Sequence, residues 1–149
     1  MKQRATPPFH HSNTPAPQVV DVAAGLVFRG GKLLITQRQA DSHLGGLWEF
    51  PGGKRELGET FEQCLRRELM EELGCEVEVL ELVEAINHEY PGKSVHLRFH
   101  RCRWLAHEPR AIGCADLRWV VREELEQFGF PAADAKLIGR LREPSSLWE

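Results

Sequence analysis

Several things are scarce in this sequence, and each scarcity removes a class of protein. No apolar run is long enough for a membrane span: the longest, such as Val19 to Phe28 and Leu33 to Ile35, fall far short of the roughly 20 residues a helix needs to cross a bilayer. The first residues lack the apolar core of a secretion signal, so a cytoplasmic location is expected. The four cysteines, at 64, 75, 102 and 114, show no paired C-x-x-C spacing. That argues for separate reduced thiols used in packing, not for a zinc site or a disulfide frame. Positive charge is not in surplus either: the formal net charge is −3. The chain therefore has no global field to draw it to nucleic acid or anionic lipid, and a polyanionic ligand would need local help. At 149 residues there is room for one ordinary core and not for a second catalytic domain.

What is present reads as one mixed domain behind a short leader. Residues 1–18 carry four prolines, Pro7, Pro8, Pro15 and Pro17, among Ser, Asn, Thr and His, and are expected to be a mobile tail. The domain is placed at 19–149. Val19 to Arg29 and Lys32 to Arg38 are β-branched and aliphatic runs joined at Gly30-Gly31, a pair suited to the positive φ angles of a tight hairpin. A loop with Gly45-Gly46 follows, and Pro51-Gly52-Gly53 interrupts regular structure. Thr60, with Gln63 three residues on, predicts a capping box, and the helix it opens should stop at Gly74. Val77 to Val83, then Val95, Leu97 and Phe99 in alternation with polar residues, then Leu117 to Val121, predict further strands. Ala132 to Arg142 places Leu137, Ile138 and Leu141 at helical spacing. Strands, helix, strands, helix imply a single α/β (α+β) sandwich with a mixed central sheet.

The helix from Thr60 holds the chemistry. Glu68, Glu71 and Glu72 stand at i, i+3 and i+4 and so share one face, an arc of roughly 100°. Like charges at that spacing repel, so arginines such as Arg66 and Arg67, or bound cations, must neutralise them. An ordinary solvated helix laced with ion pairs would also show such a face. Its surroundings favour chemistry: Pro51-Gly52-Gly53 lets backbone approach a ligand closely, and Glu59 adds a fourth carboxylate at the helix entrance. Clustered hard oxygens suit Mg²⁺, with Mn²⁺ possible, and such ions are commonly shared between carboxylates and substrate phosphates. They would also let a net-negative protein hold a triphosphate.

Written out, Gly53 to Cys75 is GKRELGETFEQCLRRELMEELGC. This resembles the Nudix box, G-x5-E-x7-R-E-U-x-E-E-x-G-U with U aliphatic. Every charged and glycine position matches, and Cys75 replaces the last aliphatic residue as a small hydrophobe. WEFPGGK ahead of the box and FPAAD near the C-terminus look like the MutT-like branch of Nudix hydrolases, and the likeness runs roughly from Val19 to Leu141. It implies a Nudix-type α/β/α sandwich and a magnesium-dependent hydrolase that splits a nucleoside triphosphate into monophosphate and pyrophosphate. Glu68, Glu71 and Glu72 would be metal ligands, with Gly52 and Glu59 at the same site and Arg67 orienting the glutamates. By the same matching, Arg38, His43 and Lys93 approach the nucleotide, Phe50 lines the base pocket, and Asp134 faces the base. Trp48 and Trp119 read as packing residues that could instead stack on a base.

Two positions depart from the pattern. Relatives often carry a glutamate in the loop before Leu117-Arg118-Trp119, where this chain has Gly113. A metal ligand or base is then missing, with Glu108 and Asp116 as partial replacements. Asp134 stands where the enzyme for oxidised guanine nucleotides has asparagine. An ionised aspartate only accepts hydrogen bonds, which suits an exocyclic amino group such as cytosine's, whereas a protonated one could read oxidised guanine. The expected substrate is thus 8-oxo-dGTP, in nucleotide-pool sanitation. CTP or 5-methyl-dCTP is the alternative within the same chemistry, and sugar nucleotides or dinucleotide polyphosphates are a further possibility. A non-catalytic module that binds an oxidised base is the reading from another class, against which the intact glutamate set stands. No stable nucleic-acid complex and no membrane partner are expected, and the chain would be a monomer or homodimer.

Overall fold

In the computed structural model, residues 18–149 are described. The expected tail lies, save for Gln18, outside the described residues. The first strand, β1 (Gln18–Arg29), turns at Gly30-Gly31 into β2 (Lys32–Gln37). Both glycines have positive φ, 59° and 77°, which twist the turn to match the strands, as the sequence predicts. Two short strands that the sequence conceals follow, β3 (Trp48–Glu49) and β4 (Gly52–Lys54), in what reads as an unbroken loop. Then comes α1 (Phe61–Leu73). Thr60 caps it: its side chain accepts from the Gln63 amide while the Gln63 side chain accepts from the Thr60 amide, and Gly74 ends it at φ 67°.

The next strands are longer than hydrophobic alternation suggests. β5 (Glu76–Tyr90) and β6 (Lys93–Ala106) form one hairpin over Pro91-Gly92, with irregular register near Val79 to Glu84. β7 (Asp116–Val120) follows, then a 3₁₀ segment (Arg122–Gln127). The helix expected from Ala132 divides into a 3₁₀ turn (Ala132–Asp134) and α2 (Ala135–Leu141), and Ser146–Trp148 adds a last 3₁₀ turn.

The central sheet runs β3-β2-β1-β6-β5, with β4 paired to β1 and β7 to β2. β1 and β6 are parallel, from Gln18 opposite Lys93 to Phe28 opposite Arg103, and the other pairings are antiparallel. The sheet is therefore mixed, and a parallel pair requires a long crossover, which here carries α1. Alternation along β1 sends Ala23 and Val27 to one face with Leu65, Leu69 and Leu73 of α1. Ala24, Leu26 and Phe28 go to the other, against Leu137 and Leu141 of α2. All four cysteines are free and buried on the α1 side, so the packing role expected of them holds. No helix among the described residues is long and apolar enough to cross a membrane.

At the end of the β1–β2 hairpin, Arg29 lies between the rings of Trp104 (4.6 Å) and Trp119 (4.5 Å) and makes a two-pronged ion pair with Glu108 at 3.0 Å. Trp48 packs edge-on against Phe128 at 5.0 Å. Both tryptophans singled out from the sequence are thus packing residues.

The Thr60 cap satisfies one amide of the exposed first turn of α1 and is the local signal that fixes where the helix begins. Thr60→Ala should lower unfolding free energy by about 1 kcal/mol, measured by urea denaturation, while Thr60→Ser should restore most of it.

Candidate active site

The carboxylate face of α1 is organised by one arginine. The Arg67 Nε donates to Glu59 Oε2 at 2.6 Å and its Nη2 to Glu59 Oε1 at 2.9 Å, a two-pronged pair. Its Nη1 donates to Glu68 at 3.1 Å and to Glu71 at 3.3 Å, and Nη2 also reaches the Lys54 carbonyl at 3.2 Å. The hydrogen bonds from Arg67 hold the Glu59 carboxyl down at about 2, well below the usual range. Arg67 itself is pushed up by the same bonds.

Glu72 points the other way, toward the sheet. Its Oε1 is buried and has no hydrogen-bond partner. Burial, with the charges of Glu49 and Glu68 adding to it, pushes its carboxyl up to about 7, while the Gly52 backbone amide pulls in the opposite direction. Burial also raises Glu68, against the hydrogen bond from Arg67. The glycines ahead of the helix are there for space. A Cβ on Gly53 would collide with the Glu68 carboxylate, and one on Gly52 would overlap the Ala23 carbonyl oxygen.

Three glutamates on one helix face do not here amount to three oxygens around one point. Among the described residues no group of three metal-ligating side chains converges. Arg67 draws Glu68 and Glu71 to itself, and the Glu71 side chain remains 60% exposed. The donor set nevertheless fits a divalent cation. It consists of hard carboxylate oxygens, and one of them, Glu72 Oε1, is an orphaned acceptor whose burial leaves charge uncompensated.

The expected substrate residues lie beside this face. A cleft of 530 Å³ is lined by Arg38, His43, Lys93 and Asp134, with Tyr90 and Glu49. A smaller, adjoining one of 320 Å³ joins Arg38, Phe50 and Asp134 to Gly52, Gly53 and Glu72, so the two groups of residues meet there. Phe50 is itself core, stacked on Phe130 at 5.2 Å and edge-on to Phe99 at 6.0 Å, and forms part of the wall of that cleft. The Arg38 Nε donates to the His43 carbonyl at 2.6 Å, while His43's ring is exposed at the rim.

Glu49 is the residue that the sequence reading leaves out. It lies in β3, opposite Thr36, and accepts from Arg38 Nη1 at 2.9 Å. Burial raises its carboxyl despite that arginine. Asp134, 8% exposed, is raised to about 6 by burial and then by the charge of Glu49. The signal for Glu49 is an acidic residue between two aromatics in WEFPGG, one buried and one partly buried, a costly place for an idle charge.

Gly113 donates its amide to the Glu72 carbonyl at 2.9 Å, and a Cβ there would lie 3.3 Å from Glu72 Cγ. A larger residue would press on Glu72 itself. Of the expected replacements, Glu108 pairs with Arg29 and Asp116 with Arg118 at 3.2 Å, and neither lines the two clefts.

This arrangement of glycine loop, capped carboxylate helix and mixed sheet is that of a Nudix hydrolase, and the chain belongs to that family: the NUDIX domain model matches residues 23–140. Its relatives are of the MutT-like branch. The CTP pyrophosphohydrolase of Escherichia coli K12 is 40% identical over 127 residues, 81% of this chain and 90% of that protein. An 8-oxo-dGTP diphosphatase of Haemophilus influenzae is 38% identical over 125 residues, 83% and 92% of the two chains. Among solved structures, the solution structure of the E. coli ORF135 protein matches with a TM-score of 0.71 at 37% identity, covering 82% of this chain and 87% of that one.

Glu72 carries a stability cost that can be read directly. Because its folded-state value of about 7 lies above the ordinary 4.5, the unfolded chain gives up the proton first as pH rises. Stability is therefore lost between about pH 4.5 and 7 and stays lost above. In chelator, Glu72→Gln should be more stable than the parent at pH 8, by on the order of 2 kcal/mol, with the gap closing toward pH 4.5. Urea melts at pH 4.5 and pH 8 check this, and equal gaps at both would contradict it.

Proposed function

We propose that the protein hydrolyses nucleoside triphosphates to the monophosphate and pyrophosphate in a magnesium-dependent reaction, selecting the base through Asp134 and Glu49. The observation that carries this reading is the smaller cleft, where Glu72 and the Gly52-Gly53 backbone share walls with Arg38 and Asp134. A phosphate chain lying along α1 and a base lying against Asp134 would fit one continuous space. Glu68, Glu71 and Glu72, with the Gly52 backbone, would hold Mg²⁺ or Mn²⁺. Once bound, such a cation offsets phosphate charge and supplies an acidified water. In the hydrolysis a water oxygen bonds to phosphorus as the bridging P–O bond breaks, and pyrophosphate leaves.

The protein residues divide the remaining work. Arg67, fully engaged with Glu59, Glu68 and Glu71, sets where those carboxylates stand. Arg38 and Lys93 supply local positive charge in a net-negative chain, and His43 stands at the rim. Phe50 walls the pocket. Asp134 and Glu49 present acceptors to the base, so a base that offers an N–H there is preferred. Cytosine does so at its N4 amino group. Guanine offers N–H at N1 and at its N2 amino group, while its N7 and O6 are acceptors; its 8-oxo form adds a proton on N7. Selection by acceptors is thus compatible with both substrates named for the relatives, and an acceptor placed at N7 would separate 8-oxo-dGTP from unmodified dGTP.

Which of the two is preferred should follow the protonation of Asp134. Ionised, above about pH 6, it only accepts and suits cytosine; protonated, below, it can also donate to O6 of 8-oxoguanine beside that N7 proton. The ratio of kcat/KM for CTP to that for 8-oxo-dGTP should therefore rise between pH 5.5 and 8. Asp134→Asn should flatten that dependence and favour 8-oxo-dGTP throughout. Pyrophosphate release from 8-oxo-dGTP, dGTP, CTP and 5-methyl-dCTP tests the whole reading. Glu72→Gln should cut turnover of the preferred substrate by about 100-fold. Release of orthophosphate alone, or no metal-dependent release, would overturn it.

A further inference from the structure

Arg67 orients the glutamates, but something must hold the loop from which Glu59 reaches it. That loop, between β4 and α1, is exposed at Leu57 and Gly58, and its internal bonds join Glu56 and Glu59: the Glu59 amide donates to the Glu56 carbonyl at 3.0 Å, and the Glu56 amide to Glu59 Oε1 at 2.8 Å. These bonds close the loop on itself but do not tie it to the sheet; that restraint comes from outside the motif positions. The Arg55 amide donates to the Asp21 carbonyl at 2.8 Å, and its Nη2 donates to Asp21 Oδ2 at 2.6 Å. Its Nη1 donates to the Glu59 carbonyl at 2.8 Å. The same guanidinium lies over the ring of Phe61, 5.2 Å from its centroid, and Phe61 is the first residue of α1. Asp21 belongs to β1, where it is half-buried and also faces His96 of β6 at 3.5 Å.

We infer that Asp21 and Arg55 are positioning residues for the catalytic helix: they tie the loop bearing Glu59 to the central sheet, and through Glu59 and Arg67 they set Glu68 and Glu71. The path is continuous. Asp21 fixes the Arg55 plane, Arg55 fixes the Glu59 backbone, and the Glu59 carboxylate grips Arg67, whose Nη1 meets both glutamates. Three features require arginine at 55. It makes two hydrogen bonds to partners on different segments, it stacks on an aromatic ring, and its planar fork keeps both directions at once. Lysine, a point charge on a flexible stem, can meet one partner but not both. Arg55 also bears an unsatisfied buried Nε, a cost that a merely decorative surface pair would not carry. Neither Asp21 nor Arg55 lines either cleft where the glutamate face meets the substrate residues, so their effect must pass through the loop.

This inference rests on the proposed hydrolysis, and its test separates the two. With the preferred triphosphate, Arg55→Ala should lower kcat by about 10-fold or more, within the range typical of groups that orient ligating residues, with KM changed less than about twofold. Asp21→Asn should lower kcat less, and Arg55→Lys should recover only part of the loss. The double variant Asp21→Asn/Arg55→Ala should be no worse than Arg55→Ala, because Asp21 acts through Arg55. Mn²⁺ titrated calorimetrically into the nucleotide-free protein should bind several-fold more weakly to Arg55→Ala, a readout independent of turnover. Arg103→Ala, which removes the distant, exposed ion pair with Glu78, serves as the control for loss of a surface arginine and should match the parent in kcat and Mn²⁺ affinity. If the parent is active and Arg55→Ala keeps its kcat and its Mn²⁺ affinity, or if the two substitutions simply add, the positioning role is wrong. A parent with no pyrophosphohydrolase activity at all would instead count against the function, and the Mn²⁺ titration would still decide the role of Arg55.

Discussion

Everything at this site depends on how one guanidinium is shared. Arg67 has five N–H donors, and the structure commits them to Glu59, Glu68, Glu71 and the Lys54 carbonyl. Without that cation the helix face would hold several like charges within one turn, and their repulsion would disfavour both the helix and any ordered loop before it. With it, Glu59 becomes a strong anchor, and the loop it belongs to acquires a fixed relation to α1. Glu72 is the carboxylate left outside this arrangement. It is the one whose charge burial penalises most clearly, and the one whose oxygen has no partner. Such a group is kept at a cost in stability, the pattern that active sites commonly show.

A second polar system, centred on Glu49, sets the other end of the cleft. Arg38 partly compensates Glu49, and Glu49 in turn raises Asp134 and Glu72. Asp134 and Glu72, at opposite ends of the space, are therefore electrostatically linked through one residue. On the proposed function, recognition of the base and tuning of Glu72 would not be independent properties.

Much of this was legible in the sequence because the signals are local. Gly30-Gly31 between aliphatic runs, Thr60 with Gln63, and Gly74 after Leu73 each specify a dihedral or a hydrogen bond within a few residues. The glutamates were legible for the same reason, since helical periodicity places i, i+3 and i+4 together whatever the rest of the fold does. What the periodicity could not give is where the carboxylates end up: Arg67 turns Glu68 and Glu71 away from Glu72. Nor could it give partners distant in the chain. Asp21 and Arg55 are 34 residues apart and meet only because β1 and β4 pair. Glu49 sits in a strand of two residues, too short to show a period, and the outer half of the β5–β6 hairpin, from Glu84 to Tyr90, is not legible because its apolar residues are scattered and follow no period of two. Ala132 to Asp134 looked helical by spacing, yet the chain tightens there into a 3₁₀ turn before α2 begins.

The parallel pairing of β1 with β6 governs the order of assembly. The strand that carries Asp21 lies beside residues some 75 positions later, Gln18 opposite Lys93 and Phe28 opposite Arg103. The capped helix can form from its own neighbourhood, but the platform to which its loop is tied needs that distant strand. Such a contact carries a large loop-closure cost before it gives any return, and chains dominated by such contacts fold slowly. During synthesis the carboxylate helix would emerge and sample its fold well before its sheet is complete, leaving crowded glutamates with Arg67 but without the scaffold behind it. The helix thus has all its local signals in place before the strand that completes its platform has been made.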